Sequence, residues 1–135
     1  MAATRESIET EAAPTWSVED SRVLYNVEGW GGGYFEINEQ GHVVVRPDAS
    51  SPARELDLYE LALDLEAQGI GMPLLLRFSD ILRSRIRLLS RSFADAIKEF
   101  AYTGAYTTVY PIKVNQQRHV IEEIVEFGHE DGIGL

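Results

Sequence analysis

The residues best able to do chemistry in this 135-residue chain converge on one lysine. Lys113 ends the run Thr107-Thr108-Val109-Tyr110-Pro111-Ile112, whose β-branched and aromatic residues read as a buried strand. Such strands rarely carry an ammonium group. An amine held at a strand's C-terminal end and partly desolvated loses its proton and becomes a nucleophile. It can then form a Schiff base with a carbonyl cofactor such as pyridoxal phosphate. In a β/α barrel, reactive side chains gather at that end of the strands. On spacing alone the opposing reading is several times commoner: a surface lysine whose stem lies over apolar neighbours while its head stays in water.

Other polar residues carry less. Arg77 stands near the C-terminal end of the preceding apolar run, Pro73-Leu74-Leu75-Leu76-Arg77-Phe78, on the rim of the candidate site, where it meets the cofactor, a carboxylate or, at least as readily, a structural ion-pair partner. Tyr110 and Pro111 alternate along the lysine strand and shape its wall, and Asn115 is placed to cap the helical pattern beginning at Gln116. His42, His119 and His129 show no i, i+4 pairing and no clustered carboxylates, so no metal site is expected, and His119 is expected at the surface. Gly31-Gly32-Gly33 has no strand feeding it and no Lys-Ser/Thr helix after it, which makes it a loop rather than a nucleotide cradle.

The elements that position these residues follow from periodicity. Residues 1–16 are small, polar and acidic and read as a disordered tail. Residues 17–52 form a first unit. Ser17-Val18-Glu19-Asp20 is a capping box opening a short helix toward Tyr25, and Tyr34–Asn38 and His42–Arg46 form a hairpin turned at Glu39-Gln40-Gly41. Pro47 and Pro52 bracket a linker. Residues 53–135 form a second unit in which the apolar period changes from two to about 3.6. Asp57 with Glu60 gives a second capping box, stapled by Leu56 and Leu61, for a helix with apolar Leu58, Leu61, Ala62 and Leu65 that ends at Gly69. The strand Pro73–Phe78 follows. Ser79 then caps a long helix with Leu82, Ile86, Leu89, Phe93, Ile97 and Phe100 on one face and Arg83, Arg85, Arg87 and Arg91 mostly on the solvated other. After the strand Tyr106–Val114 comes a helix with Val120, Ile121, Ile124 and Val125 inward, stopped by Gly128, and then a loop into a further strand. Alternating βα units imply a parallel α/β sheet, and periodicity alone leaves a doubly wound sheet and a barrel equally open.

Composition narrows the function classes. The net charge of −10 disfavours nucleic-acid and anionic-membrane partners. With 44% hydrophobic and 25% charged residues, no apolar run reaches the roughly 18 residues of a membrane span. The N-terminus lacks the apolar core of a signal peptide, and a cytoplasmic location is expected. Zero cysteines exclude thiol catalysis and cysteine-bound zinc.

Three segments, in order, carry a family resemblance. Tyr110-Pro111-Ile112-Lys113-Val114-Asn115-Gln116-Gln117-Arg118 resembles the cofactor-lysine segment of biosynthetic arginine decarboxylases. Tyr25-Asn26-Val27-Glu28-Gly29-Trp30-Gly31-Gly32-Gly33-Tyr34-Phe35 is similar to the N-terminal signature of that family, and Pro73–Leu82 to its first barrel strand and helix start. The resemblance runs from about Ser17 to Leu135. It implies the first βα units of a (β/α)8 barrel, with the hairpin belonging to a separate β-domain, and an incomplete fold, since a closed barrel takes about 250 residues. It further implies pyridoxal phosphate on Lys113, magnesium, L-arginine as substrate, agmatine and CO2 as products, a role in putrescine and spermidine biosynthesis, and a homo-oligomer whose active site spans a subunit interface. The acid facing the pyridine nitrogen, the phosphate loops and the substrate-selecting residues would then follow Leu135. The 135 residues alone are therefore expected to be inactive and poorly soluble. Another basic-amino-acid decarboxylase of the same barrel and a non-catalytic pyridoxal-phosphate protein are the competing readings.

Overall fold

Ser17 does what its spacing predicts. In the computed structural model, which describes residues 15–47 and 54–134, its hydroxyl accepts the Asp20 N–H at 3.1 Å, and the Asp20 carboxylate accepts the Ser17 N–H at 2.8 Å. This reciprocal box opens α1 (Val18–Leu24), and Ser17's side-chain and backbone hydrogen bonds hold the Asp20 carboxyl below its usual range. Trp16, assigned from sequence to the tail, is instead tied to α1, its indole N–H donating to Ser21 Oγ at 2.8 Å. The rest of that tail (residues 1–14), the linker at 48–51 and Leu135 lie outside the described residues.

The triple glycine is only partly a loop. Gly31 closes a short helix, α2 (Val27–Gly31), and Gly32 and Gly33 then take φ values of 56° and 80°, which glycine adopts without a Cβ clash. They turn the chain into the expected hairpin, β1 (Phe35–Ile37) and β2 (Val43–Val45), antiparallel with Glu36 opposite Val44. A third strand that periodicity missed, β3 (Leu56–Asp57), pairs antiparallel with the other edge of β2. Two residues running straight into a helix leave no alternation to read. The first sheet thus crosses the division drawn at residue 53. Its middle strand contributes Val44 and Val45, both fully buried, and Val27, Tyr34 and Ile37 complete this part of the core.

Asp57 both ends β3 and caps α3 (Leu58–Ala67). Its Oδ1 accepts the N–H groups of Tyr59 and Glu60 at 2.9 and 3.1 Å. Its Oδ2 accepts Asn38 Nδ2–H at 2.9 Å and meets His42 Nδ1 at 2.8 Å. The His42 ring also packs on Tyr59, with centroids 4.6 Å apart. Partial burial alone would raise the Asp57 carboxyl. The bonds from Glu60 N–H, His42, Asn38 and Tyr59 N–H outweigh it and hold the group below the usual carboxylate range.

The apolar run Pro73–Phe78 does not form the expected strand. Its hydrophobicity encodes burial, whereas a strand also needs a partner to bond, and this run pairs with none of the described strands. Leu75 is 79% exposed. The long helix α4 (Ser79–Glu99) forms as expected, but Ser79 is its first helical residue rather than its cap. The Ser79 hydroxyl instead donates to Glu123 Oε1 at 2.6 Å. Of the expected apolar stripe only Ile86 is buried; Leu89, Phe93 and Phe100 are exposed, although Phe93 stacks on Tyr106 at 4.2 Å. Arg83 is exposed, as expected, and its guanidinium lies 4.5 Å from the centre of the Phe127 ring.

The expected long strand Tyr106–Val114 shrinks to β4 (Thr108–Val109) and is followed by a 3₁₀ turn, Ile112–Val114. Then comes α5 (Arg118–Asp131), which packs along α4, and β5 (Ile133–Gly134) returns parallel to β4, with Thr108 opposite Ile133 and Val109 opposite Gly134. The architecture is mixed α/β, with one parallel βαβ unit; the described residues do not close a barrel. In α5, Ile124 is buried, while Val125, expected inward, is 49% exposed. Gly128 does not stop the helix. It lies inside it, and a Cβ built there would sit 2.8 Å from Ile133 Cβ; Gly132, at φ 70°, is the true terminus.

Two outcomes follow. Gly128→Ala, a change that ordinarily stabilises a helix interior by about 1 kcal/mol, should here destabilise by about 1–3 kcal/mol through overpacking against β5. Urea denaturation reads the sign, and a gain in stability would show that the α5–β5 contact yields freely. Because the Asp57 carboxyl is lowered on folding, its contribution is complete above its unfolded value of about 3.9 and is lost as pH falls through the lower folded value. Wild-type stability should therefore fall more steeply below about pH 4 than that of Asp57→Asn, which keeps a capping side chain without the charge. Parallel pH–stability slopes would refute this.

Candidate active site

Lys113 sits in the 3₁₀ turn beyond the C-terminal end of β4, as a barrel reading of the sequence requires, but on a turn rather than in a strand. The cause is local. Pro111 lacks an N–H and sets an extended entry at φ −80°, ψ 99°, and the chain then tightens, with Val114 N–H bonding Pro111 C=O at 3.0 Å and Asn115 N–H bonding Ile112 C=O at 3.1 Å. Upstream, Tyr110 N–H donates to Gly134 C=O at 3.0 Å, which continues the ladder to β5 and anchors the turn's entrance. Tyr110 is half-buried and Pro111 exposed.

The lysine itself is exposed, and so are Ile112 and Val114 on either side. The desolvation expected from an apolar strand is not supplied by these residues, because the bonded part of β4 stops at Val109. No hydrogen bond or ion pair engages Lys113 Nζ among the described residues. Lys98, the chain's other lysine, lies in the last turn of α4.

Beyond the turn the chain is held by side chains. Asn115 does not cap α5. Its Oδ1 accepts Gln117 N–H at 3.1 Å, an Asx-type turn one step earlier, and Gln117 occupies the cap position without a side-chain capping bond. Arg77 comes to the same place: its Nη2 donates to Gln117 Oε1, so the end of the Pro73–Phe78 segment is joined to the segment after the lysine. Sequence reasoning put Arg77 on this rim but missed Gln117; its place inside the lysine motif was the available signal. Arg118 pairs with Glu122 at 2.7 Å along α5.

The three histidines stay apart from the lysine turn. His42 belongs to the Asp57 cluster, and His119 and His129 are exposed on α5, as expected for His119. Among the described residues no group of three histidine, cysteine, aspartate or glutamate side chains could hold a metal ion. No helix of the described residues is long and apolar enough to cross a membrane.

Comparison with known proteins gives the chain its relatives. The chain is 52% identical over 120 residues, 89% of its length, to the biosynthetic arginine decarboxylase of Gloeobacter violaceus. It is homologous to the biosynthetic arginine decarboxylases. The Thermosynechococcus vestitus enzyme is likewise 52% identical over 120 residues, and that of Nostoc sp. is 48% identical over 125 residues, 93% of the chain. No protein-family model matches. The chain spans 18–19% of the length of these arginine decarboxylases, and the aligned stretch includes most of the described residues.

Proposed function

We propose that this chain is part of an arginine decarboxylase in which Lys113 carries pyridoxal phosphate at the mouth of a β/α barrel. The observation that carries the reading is the free Lys113 amine on a turn past the C-terminal end of a parallel strand, in a chain about half identical to arginine decarboxylases. The donor chemistry fits the cofactor: a primary amine with no competing ion pair among the described residues can attach covalently to an aldehyde carbon. When bound, pyridoxal phosphate supplies an electron sink for loss of the α-carboxylate, here that of L-arginine, giving agmatine and CO2.

The chain's own residues orient the nucleophile. Tyr110's bond to Gly134 sets the height of the turn above the β4–β5 pair, and the 3₁₀ bonds of Val114 and Asn115 limit the swing of the Lys113 Cα–Cβ bond. Asn115 and Gln117 hold the exit. Such positioning can supply a substantial part of a rate enhancement, because the amine need not search for its partner. Since Lys113 is exposed here, the activity is proposed for the whole enzyme rather than for these 135 residues. The same holds for the oligomer, the cytoplasmic location and the place in putrescine and spermidine formation. Magnesium receives no role, as no described cluster fits it.

Borohydride trapping with pyridoxal phosphate on the full enzyme, followed by peptide mass mapping, tests the assignment. With only two lysines in this stretch, the pyridoxyl label is expected on Lys113 and not on Lys98. Lys113→Ala should abolish it and lower arginine decarboxylation by roughly a thousandfold or more. A label on Lys98 alone, or a Lys113→Ala enzyme with near-normal turnover, would overturn the reading.

A further inference from the structure

Arg77 and Gln117 form a contact that the proposed chemistry does not itself require. They lie 40 positions apart, on segments that share no strand pairing, yet the guanidinium donates to the Gln117 side-chain oxygen. The same Gln117 is bonded through its backbone N–H to Asn115 Oδ1, and the Asn115 N–H in turn bonds Ile112 C=O. A continuous chain of hydrogen bonds therefore runs from Arg77 through Gln117 and Asn115 to the turn that holds Lys113. The entrance to that turn is tied to β5 through Tyr110; its exit is tied to α5 through the Gln117 carbonyl, which accepts the Val120 and Ile121 N–H groups at 3.0 and 3.1 Å, and to the Pro73–Phe78 segment through Arg77.

We infer that Arg77 is a positioning residue, fixing the exit of the Lys113 turn through Gln117. This inference rests on the proposed role of Lys113. It gives Arg77 a role beside those the sequence left open, since the acceptor seen here is a neutral amide. Arginine suits the task because its planar fork reaches an amide oxygen with a fixed direction and keeps its charge, which strengthens the bond. Lysine, a freely rotating point charge, would hold the amide less rigidly.

The test uses the full enzyme with Arg77→Ala, Arg77→Lys, Gln117→Ala and the Arg77→Ala/Gln117→Ala double variant, and Arg91→Ala on the outer face of α4 as the control. The first readout needs no cofactor: amide hydrogen exchange at Val114 and Asn115, the N–H groups that close the turn. Exchange should rise about fivefold in Arg77→Ala and in Gln117→Ala, less in Arg77→Lys, and no further in the double variant. The second readout is the rate of borohydride-trapped label on Lys113 at limiting pyridoxal phosphate, which should fall in the same order while Arg91→Ala matches wild type. Unchanged exchange in Arg77→Ala, or additive effects in the double variant, would overturn the inference. Should Arg77→Ala fail to fold, Gln117→Ala and Arg77→Lys decide the matter by the same criteria. Absence of label on wild-type Lys113 would instead refute the cofactor assignment, while the exchange data would still report whether the clamp exists.

Discussion

The parallel pairing of β4 with β5 is the constraint on which the lysine turn depends. Only two residues of each strand are bonded, yet the ladder continues through Tyr110 N–H to Gly134 C=O, and the chain leaves the sheet directly into Pro111 and the turn. A parallel pair cannot be joined by a short loop and needs a crossover. Helix α5 is that crossover, and Gly128 lets it lie close enough for Ile133 to reach the strand position beside Thr108. Helix packing, strand register and lysine position are thus one problem, solved by a residue without a side chain.

Asp57 plays a comparable part in the first sheet. One carboxylate ends β3, caps α3 and collects Asn38 and His42 from the hairpin. Together these bonds hold two elements of different period in fixed relation. Tyr34 then links this sheet to the helical part, its hydroxyl 2.9 Å from Ser84 Oγ, and Phe35 meets Phe78 edge-on with centroids 6.4 Å apart.

Exposed apolar surface is the feature that most separates these residues from an ordinary small domain. Leu75, Phe100 and Val114 are each more than 70% exposed, and soluble monomers rarely leave large apolar areas contiguous. The pattern in the sequence calls for burial that the described residues do not provide, which accords with a chain spanning about 18% of the arginine decarboxylases it matches.

Much was legible in the residues themselves. The Ser17–Asp20 box, the hairpin, helix α3 from its Asp57 cap, helix α4 and the family resemblance all rest on signals local in sequence: a capping pair, a change of period, a contiguous motif. Such signals survive without knowledge of the fold because the atoms that satisfy them lie within a few residues. What only the tertiary structure decided involves partners far apart in the chain. Strand β3 is a strand through its pairing with β2, whereas Pro73–Phe78 pairs with none of the described strands. Ser79 gave up capping for Glu123, Gly128 became a packing site rather than a stop, and Gln117 acquired Arg77. Lys113 divides the two cases. Its neighbours carry the family resemblance on which its proposed cofactor role rests, but whether its amine stands free or buried depends on surfaces that come together only in three dimensions.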